Sequence, residues 1–323
     1  MTSANTAVLE QNEVQSSRAN KYFVMNAHAG KGIDPEKVKA ADDSLTVYVT
    51  TGSGDARKYV SDVLKDDPNA WIIACGGDGT LSECAAGIID AHAGDTALFS
   101  AIGAGSGNDF VRYMSKVMKP GEIKDVDAVY VNGYYSINMI NIGFDCAVVS
   151  ESEKLRRMPH VSGSASYILG VVKTLLKKPH IKAKITLDGV DGTDETKVLE
   201  GDYLLTCVAE CPFCGGGFNA APTASPFDGL IDLLIIKNVS RARFISLVGD
   251  YKKGTHFLEN GELKEIFRKY ITHVKCRSFT MDGLTEMCVD GEVISVDKIN
   301  GEILPRAFRC VLPDEKWVNA VKK

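Results

Sequence analysis

From residue 21 the chain alternates short apolar runs with amphipathic stretches. KYFVMNA (21–27), SLTVYVT (44–50), AWIIACG (70–76) and TALFSAIGAG (96–105) have the length and apolar density of buried strands. Between and after them, GDARKYVSDVLKDD (54–67), TLSECAAGIIDAHAG (80–94) and NDFVRYMSKVM (108–118) carry helical spacing. That beat of strand, turn and helix predicts a parallel sheet with crossover helices. After about residue 130 the rhythm changes. VYVNGYYSINMINIGF, HIKAKITLDGV, EGDYLLTCVAE, LIDLLIIKNV, ITHVKCRSFTMDG and EMCVDGEVISV read as strands separated by Gly, Asn and Asp turns. Two helical patterns interrupt them, at roughly 164–178 and at 241–253. The expected fold is an α/β N-terminal domain with a parallel sheet plus a mostly antiparallel β C-terminal domain. No linker separates them, so they are expected to pack closely, and the gap between two domains is where ligand sites form.

Composition narrows the function classes. The 323 residues are 45% hydrophobic and 24% charged, enough for two domains and too apolar for disorder. Thirty-seven basic against forty-two acidic residues give a net charge of −5, so no global field draws the chain to nucleic acid. No apolar run approaches the ~20 residues of a spanning helix. Residues 1–20 lack the basic start and apolar centre of a signal peptide and read as a mobile polar tail. Thr2 excludes the myristoylation pattern. Nine scattered cysteines fit a reduced cytoplasmic protein. Cys211 and Cys214 form a CxxC, but no second CxxC or CxxH completes a zinc site.

The chemistry concentrates in three glycine-rich turns at strand-to-helix junctions: NAHAGKG (26–32), GGDGT (76–80) and GAGSGND (103–109). In an open parallel sheet such turns share the carboxyl edge of the strands. Glycine there lets backbone amides approach a bulky anion at a helix start, which suits phosphate. Tight βα turns also use glycine, so a single turn decides nothing. Three in succession, two with Asp or Asn at the tip, favour a ligand. The P-loop spelling is absent, because Lys31 is followed by Gly32 rather than Ser or Thr, and Gly103, Gly105 and Gly107 misspell the dinucleotide fingerprint. Asp78 repels phosphate unless a cation intervenes. Mg²⁺ takes one or two carboxylates plus phosphate oxygens, so Asp78 is expected to hold metal-bound phosphate.

GGDGTLSE (76–83) followed by GSGNDFVR (105–112) resembles the diacylglycerol kinase catalytic fold of bacterial lipid kinases, related to sphingosine and ceramide kinases. NAHAGKG, NIGFDCAV (141–148), CGGGFNAAPTASPFDGLIDL (214–233) and CVDGE (288–292) resemble its other motifs in order, over nearly the whole chain after residue 20. GGDGT alone is shared with NAD kinases and phosphofructokinases; the ordered set is specific. The resemblance implies ATP and Mg²⁺ in an interdomain cleft and phosphoryl transfer to a lipid alcohol, with diacylglycerol as the default acceptor. It implies nucleotide contacts from Asn26, Gly30, Lys31, Thr50, Gly76, Gly77, Asp78, Gly79, Thr80, Leu81, Ser82, Ser106, Asn108 and Asp109. Glu292 becomes the base that takes the lipid hydroxyl proton, where the residues alone read as a solvated carboxylate in an Asp-Gly hairpin. The resemblance also implies that Asp127 supports the catalytic metal network and that Asp228, with the carbonyls of Ser225 and Leu230, holds a structural Mg²⁺. The domains run 21–133 (nucleotide-binding, completed by about 304–323) and 134–303 (β-rich, lipid acceptor).

The sequence departs from the family at Ala27, where proline is usual, at CPFC before the glycine run, and at PFDG, which leaves one aspartate where two often stand. Residues 154–184 form a basic amphipathic stretch with Lys173, Lys177 and Lys178. It is either a membrane-surface element or a helix with a solvated basic face. The expectation is a cytoplasmic enzyme that docks reversibly on the membrane, with a homodimer left open. Sphingoid bases, monoacylglycerol, phosphatidylglycerol and undecaprenol remain alternative acceptors. The rival readings are an NAD kinase-like small-molecule kinase and a non-catalytic nucleotide sensor, with a nicotinamide-dependent dehydrogenase weakest.

Overall fold

The structure, a computed structural model, describes residues 19–30, 32–156 and 163–322. Nearly all of the expected 1–20 tail, and Lys31, lie outside the described residues. The chain forms two compact bodies, one from the chain up to Asp127 and again from Pro305, the other from Ala128–Leu304.

The first body is built on parallel strands β1 (Lys21–Met25), β2 (Leu45–Val49), β3 (Trp71–Gly76) and β4 (Leu98–Gly103), in the order β2-β1-β3-β4. Helices α1 (Pro35–Ala41), α2 (Asp55–Asp66) and α3 (Asp78–Asp90) connect them, and α4 (Asp109–Val117) follows β4. All six residues of β3 are buried, as its central place demands. The sequence reading missed α1. It has one buried apolar residue, Val38, too few for a periodicity, although Asp34 caps it and Pro35 opens it.

The second body starts within β5 (Ile123–Val131), which runs through the division between the bodies, six residues before the expected boundary at 133. It continues through β6 (Tyr134–Ser136), β7 (Met139–Gly143), helices α5 (Phe144–Arg156) and α6 (Gly163–Lys177), β8 (Ile181–Asp188), β9 (Thr196–Ala209) and the small hairpin β10 (Phe213–Cys214) and β11 (Phe218–Asn219). Then come β12 (Ile231–Lys237), α7 (Arg241–Lys253), α8 (Glu265–Arg268), β13 (Ile271–Cys276), β14 (Ser278–Asp282), β15 (Glu286–Val289), β16 (Glu292–Ser295) and β17 (Lys298–Val311). The pairings within this body are antiparallel, in the order β16-β15-β7-β9-β8-β14-β17, with β12 also on β9 and β13.

Residues opposite one another share a face, which separates two cores. Ile140, Val208, Leu233 and Val274 line one; Cys207, Leu234 and Phe144 belong to the other, with partly buried residues of α6 and α7 against it. Helix α5 went unread because it follows a strand with only Gly143 between the two apolar runs.

After Leu304, β17 leaves the second body and Arg309–Cys310 pair in parallel with Leu98–Phe99 of β4. A buried relay fixes this return: Trp71 Nε1 donates to Ser100 Oγ at 2.9 Å, and Ser100 Oγ donates to the Val311 carbonyl at 2.7 Å. The closing helix α9 (Glu315–Lys322) buries Trp317, whose Nε1 donates to Asp42 at 2.9 Å.

Candidate active site

The turns after β1, β3 and β4 meet at the carboxyl edge of the first body's sheet. Asp78 is the first residue of α3, where a negative charge suits the helix dipole. Its carboxylate accepts the N–H of Asn108 on Oδ2 and of Asp109 on Oδ1, both at 3.0 Å. One aspartate thus ties the GGDGT turn to the start of α4. Asn108, held at φ +55, accepts the Gly105 N–H and donates to the Gly105 carbonyl, each at 2.9 Å.

Bareness at these turns therefore has a cause within the chain. A Cβ on Gly105 would lie 2.6 Å from the Gly77 Cα, and one on Gly107 would lie 2.5 Å from Asp78 Oδ2. Gly79 differs: a Cβ there would meet nothing within 4 Å. The expected room for a ligand narrows to that residue and its surroundings, which include half-buried Thr80 and exposed Ser106.

The other predicted nucleotide contacts fall at the same edge in different ways. Asn26 accepts the His28 N–H at 3.0 Å, and Gly30 packs against the Ala104 carbonyl. The Thr50 N–H donates to the Met25 carbonyl at 2.9 Å. Leu81 and Ser82 are buried, 0% and 8% exposed, so their side chains serve the packing of α3. Asp109 is buried and accepts from Arg112 Nε at 3.3 Å. Glu83, which has no expected role, accepts the Gly54 and Ala56 N–H groups on its two oxygens at 2.8 and 3.2 Å and so caps α2. Its place at the end of GGDGTLSE was the available signal.

In the second body Glu292 opens the edge strand β16 and is exposed. It follows a hairpin turn with positive φ at Asp290 and Gly291, so the Asp-Gly hairpin and the DGE motif are one object. Asp290, which the sequence reading gave no role, anchors it. The carboxylate is 6% exposed and accepts from Ser136 Oγ (2.7 Å), Ile137 N (2.9 Å), Asn138 N (3.2 Å) and Met139 N (2.9 Å). Asp127, buried on β5, accepts the N–H of Arg306 at 2.7 Å and holds that residue at φ +51.

The expected Mg²⁺ position at Asp228 looks different. Asp228 Oδ1 accepts the Leu230 N–H at 3.1 Å, and Oδ2 pairs with Lys275 Nζ at 2.7 Å. The same ammonium lies 2.9 Å from Asp232 Oδ2 and donates to the Thr223 carbonyl at 3.3 Å. Among the described residues no group of three or more His, Cys, Asp or Glu is arranged to hold a metal. The donor set at Asp228 is already matched by a lysine and does not fit a divalent ion. Asp78 presents a single carboxylate that accepts the Asn108 and Asp109 N–H groups, which fits the one-carboxylate, phosphate-sharing mode of Mg²⁺.

An apolar cavity of about 960 Å³, its open mouth included, lies on the helix-covered face of the second body. Phe144, Val148, Val171, Leu205, Ile236, Phe244, Leu247 and Phe267 line it. Its polar wall is one cluster: Asn141, Asp145 and Tyr251, gathered around Cys207, whose sulfur lies 3.0 Å from the Tyr251 hydroxyl. Burial pushes the Asp145 carboxyl up to about 6 and the Tyr251 phenol well above its ordinary value. Asn141 pairs with Cys288 of β15 and through it with Val293, while Glu292 pairs with Val289 and through it with Ile140, so Glu292 stands two strands, ~10 Å, from the cavity wall and on the alternate face of the sheet. Cys214 also lines the cavity, Cys211 is buried, and none of the nine cysteines forms a disulfide.

Helix α6 forms one wall with Val171 and alters the expected basic face. Lys173 and Lys177 reach the buried Glu151 of α5 at 2.6 and 2.8 Å. Hydrogen bonds from Lys173 and then Lys177 outweigh burial and hold Glu151 down at about 2. Both lysines pair with Glu151 while their own side chains stay 48% and 60% exposed, against 9% for the glutamate. Beside them α6 also shows apolar residues outward: Leu169, Val172 and Leu176 are 47%, 51% and 71% exposed. Among the described residues no helix is long and apolar enough to cross a membrane.

Comparison with known proteins matches both bodies. The model of the diacylglycerol kinase catalytic domain covers residues 21–133, and that of the YegS C-terminal NAD kinase beta sandwich-like domain covers 138–312. A "Probable lipid kinase YegS-like" of Citrobacter koseri is 27% identical over 306 residues, 88% of this chain and 94% of that protein. One of the same description from Shewanella frigidimarina is 25% identical over 282 residues, 84% and 85% of the two chains. A diacylglycerol kinase structure from Bacillus anthracis shares the fold, with a TM-score of 0.61 and 21% identity over 92% of this chain and 97% of that one. With both family models matched in order and glycine turns, DGE hairpin and two-body fold in place, the chain belongs to the YegS-like lipid kinases of the diacylglycerol kinase catalytic-domain family.

Proposed function

We propose that this lipid kinase transfers the γ-phosphoryl group of ATP to the hydroxyl of diacylglycerol, giving phosphatidic acid. The observation that carries the acceptor class is the cavity: apolar walls for alkyl chains and one polar cluster at Asn141, Asp145 and Tyr251 for the glycerol end. Other lipid alcohols share that chemistry and are outcomes of the test.

Phosphoryl transfer leaves a protein to align donor and acceptor and to offset charge. The amides at the start of α3, open at Gly79, receive the phosphates, with Ser106, Thr80, Asn26, Gly30 and Thr50 along the same edge. Asp78 holds two turns in register and presents its carboxylate to the phosphate side. When bound there, Mg²⁺ supplies charge neutralisation of the phosphate oxygens. Glu292 accepts the acceptor hydroxyl's proton as its oxygen bonds to the γ-phosphorus and the bond to the β–γ bridging oxygen breaks, releasing ADP. Asp290 and Asp127 are positioning residues, the one for Glu292, the other for the chain at Arg306. The outward face of α6 meets the cytoplasmic membrane surface during turnover.

The test is transfer of radiolabelled phosphate from ATP to a panel of neutral lipids in detergent micelles, with Glu292→Gln in parallel. Label on diacylglycerol, lost in the variant, is the expected result. Label confined to another lipid moves the acceptor, and transfer that survives in Glu292→Gln moves the base.

A further inference from the structure

The second body carries a cation of its own. Asp232 and Lys275 face each other across β12 and β13, and the carboxylate Oδ1 of Asp232 accepts from Nε2 of His273, two residues along the same strand, at 2.8 Å. Thr223 Oγ1 donates to the same oxygen at 2.8 Å, and its carbonyl receives the Lys275 ammonium. Asp228 closes the group from the loop before β12. Asp232 is 0% exposed, so its charge cannot rely on water, and a buried carboxylate persists only when paired and hydrogen-bonded. The ammonium meets two carboxylates and a carbonyl, the oxygen set a hard divalent ion would take. Its reach from β13 leaves no place in that cradle for such an ion.

We propose that Lys275 is a built-in counter-ion that replaces a bound divalent metal in the loop over residues 222–232, so that this body holds its shape without metal. The two metal dependences of a kinase of this kind, one for phosphate and one for the fold, are then separated in this chain: only the first remains. The inference rests on the Asp228–Lys275–Asp232 geometry and not on the identity of the lipid.

Thermal unfolding without nucleotide or lipid tests it, in EDTA and in millimolar Mg²⁺ or Ca²⁺. The wild-type midpoint is expected to agree across the three conditions within ~1 °C. Lys275→Ala is expected to fall by at least ~4 °C in EDTA and to recover most of that in one of the ions, because two carboxylates and a carbonyl then lack a cation. Asp228→Asn, which keeps the lysine on Asp232, is expected to lose the same amount in all three. If Lys275→Ala does not fold, the wild-type and Asp228→Asn comparison decides alone. Wild-type stabilisation by several degrees that disappears in Asp228→Asn would overturn the proposal, as would a Lys275→Ala protein that neither ion restores. Neither failure touches the lipid-kinase reading, since no transfer is measured.

Discussion

At the scale of single residues, two glycines of similar spelling do opposite jobs. Gly105 is bare because another backbone lies against it, so Gly105→Ala must push two turns apart and should cost about 1–3 kcal/mol. Gly79 sits in the first turn of α3 with open space beyond it. Gly79→Ala should raise stability by ~0.5–1 kcal/mol through helix propensity and still raise the KM for ATP at least tenfold. Denaturant melts with ATP titrations separate the two effects; a Gly79→Ala enzyme with unchanged KM removes the phosphates from that spot. Asp145 makes a pH prediction. Its folded pKa, about 6, lies above its ordinary value, so its protonated form is favoured by folding and its contribution is most favourable in acid. That contribution declines as pH rises through the ordinary carboxyl range to about 6 and stays unfavourable above it. Asp145→Asn should therefore melt higher than wild type at pH 8 and lose that advantage near pH 4. A constant difference across that range would place the charge in a better-solvated setting. This residue scale was the least legible in the sequence. GGDGT, GSGND and CVDGE stood out, but nothing in their spelling says that Asp78 holds Asn108 and Asp109, or that the Asp of DGE accepts four hydrogen bonds. Contacts between residues 30 and 153 positions apart are set by the fold, and no local pattern encodes them.

At the scale of elements, legibility follows burial symmetry. Strands buried on both faces, such as β3, and helices with a clean stripe, such as α2, are plain in the chain; α1, with one apolar contact, and α5, fused to the end of β7, are not. Helix α6 shows how an element can be found and its pairing missed. Its spacing predicts amphipathicity with a basic face, and Lys173 and Lys177 stand exposed there, but both pair with Glu151, a residue the sequence shows only as a nearby charge. Reversing Lys173 and Lys177 to Glu should thus destabilise the α5–α6 pair, with a lower melting midpoint as the first symptom. The membrane test belongs to the apolar stripe. Replacing Leu169, Val172 and Leu176 by Ser should reduce recruitment to anionic vesicles at least fivefold while transfer to micellar lipid stays within twofold. Equal loss in both assays would mean that the stripe shapes the cavity, and no loss in either would assign membrane contact elsewhere.

At the scale of the whole molecule, the two bodies differ in how the chain makes them. The second is one uninterrupted segment, Ala128–Leu304; the first is completed only by Pro305–Lys323, through the Arg309–Leu98 pairing, the Ser100–Val311 bond and Trp317. A protein stopped after Leu304 should lose the cooperative melting of the first body and keep that of the second, visible as one missing transition in calorimetry. The same arrangement sets an order of events during synthesis. At ~5–20 residues per second, roughly 10–35 s pass between emergence of Asp127 and of Pro305. For that interval the ribosome carries a chain whose second body can close while the sheet of the first still waits for its last strand. On the proposed division of labour, such a chain could meet lipid before it could handle ATP, and one that halts early leaves β4 as an open strand edge for chaperones to cover.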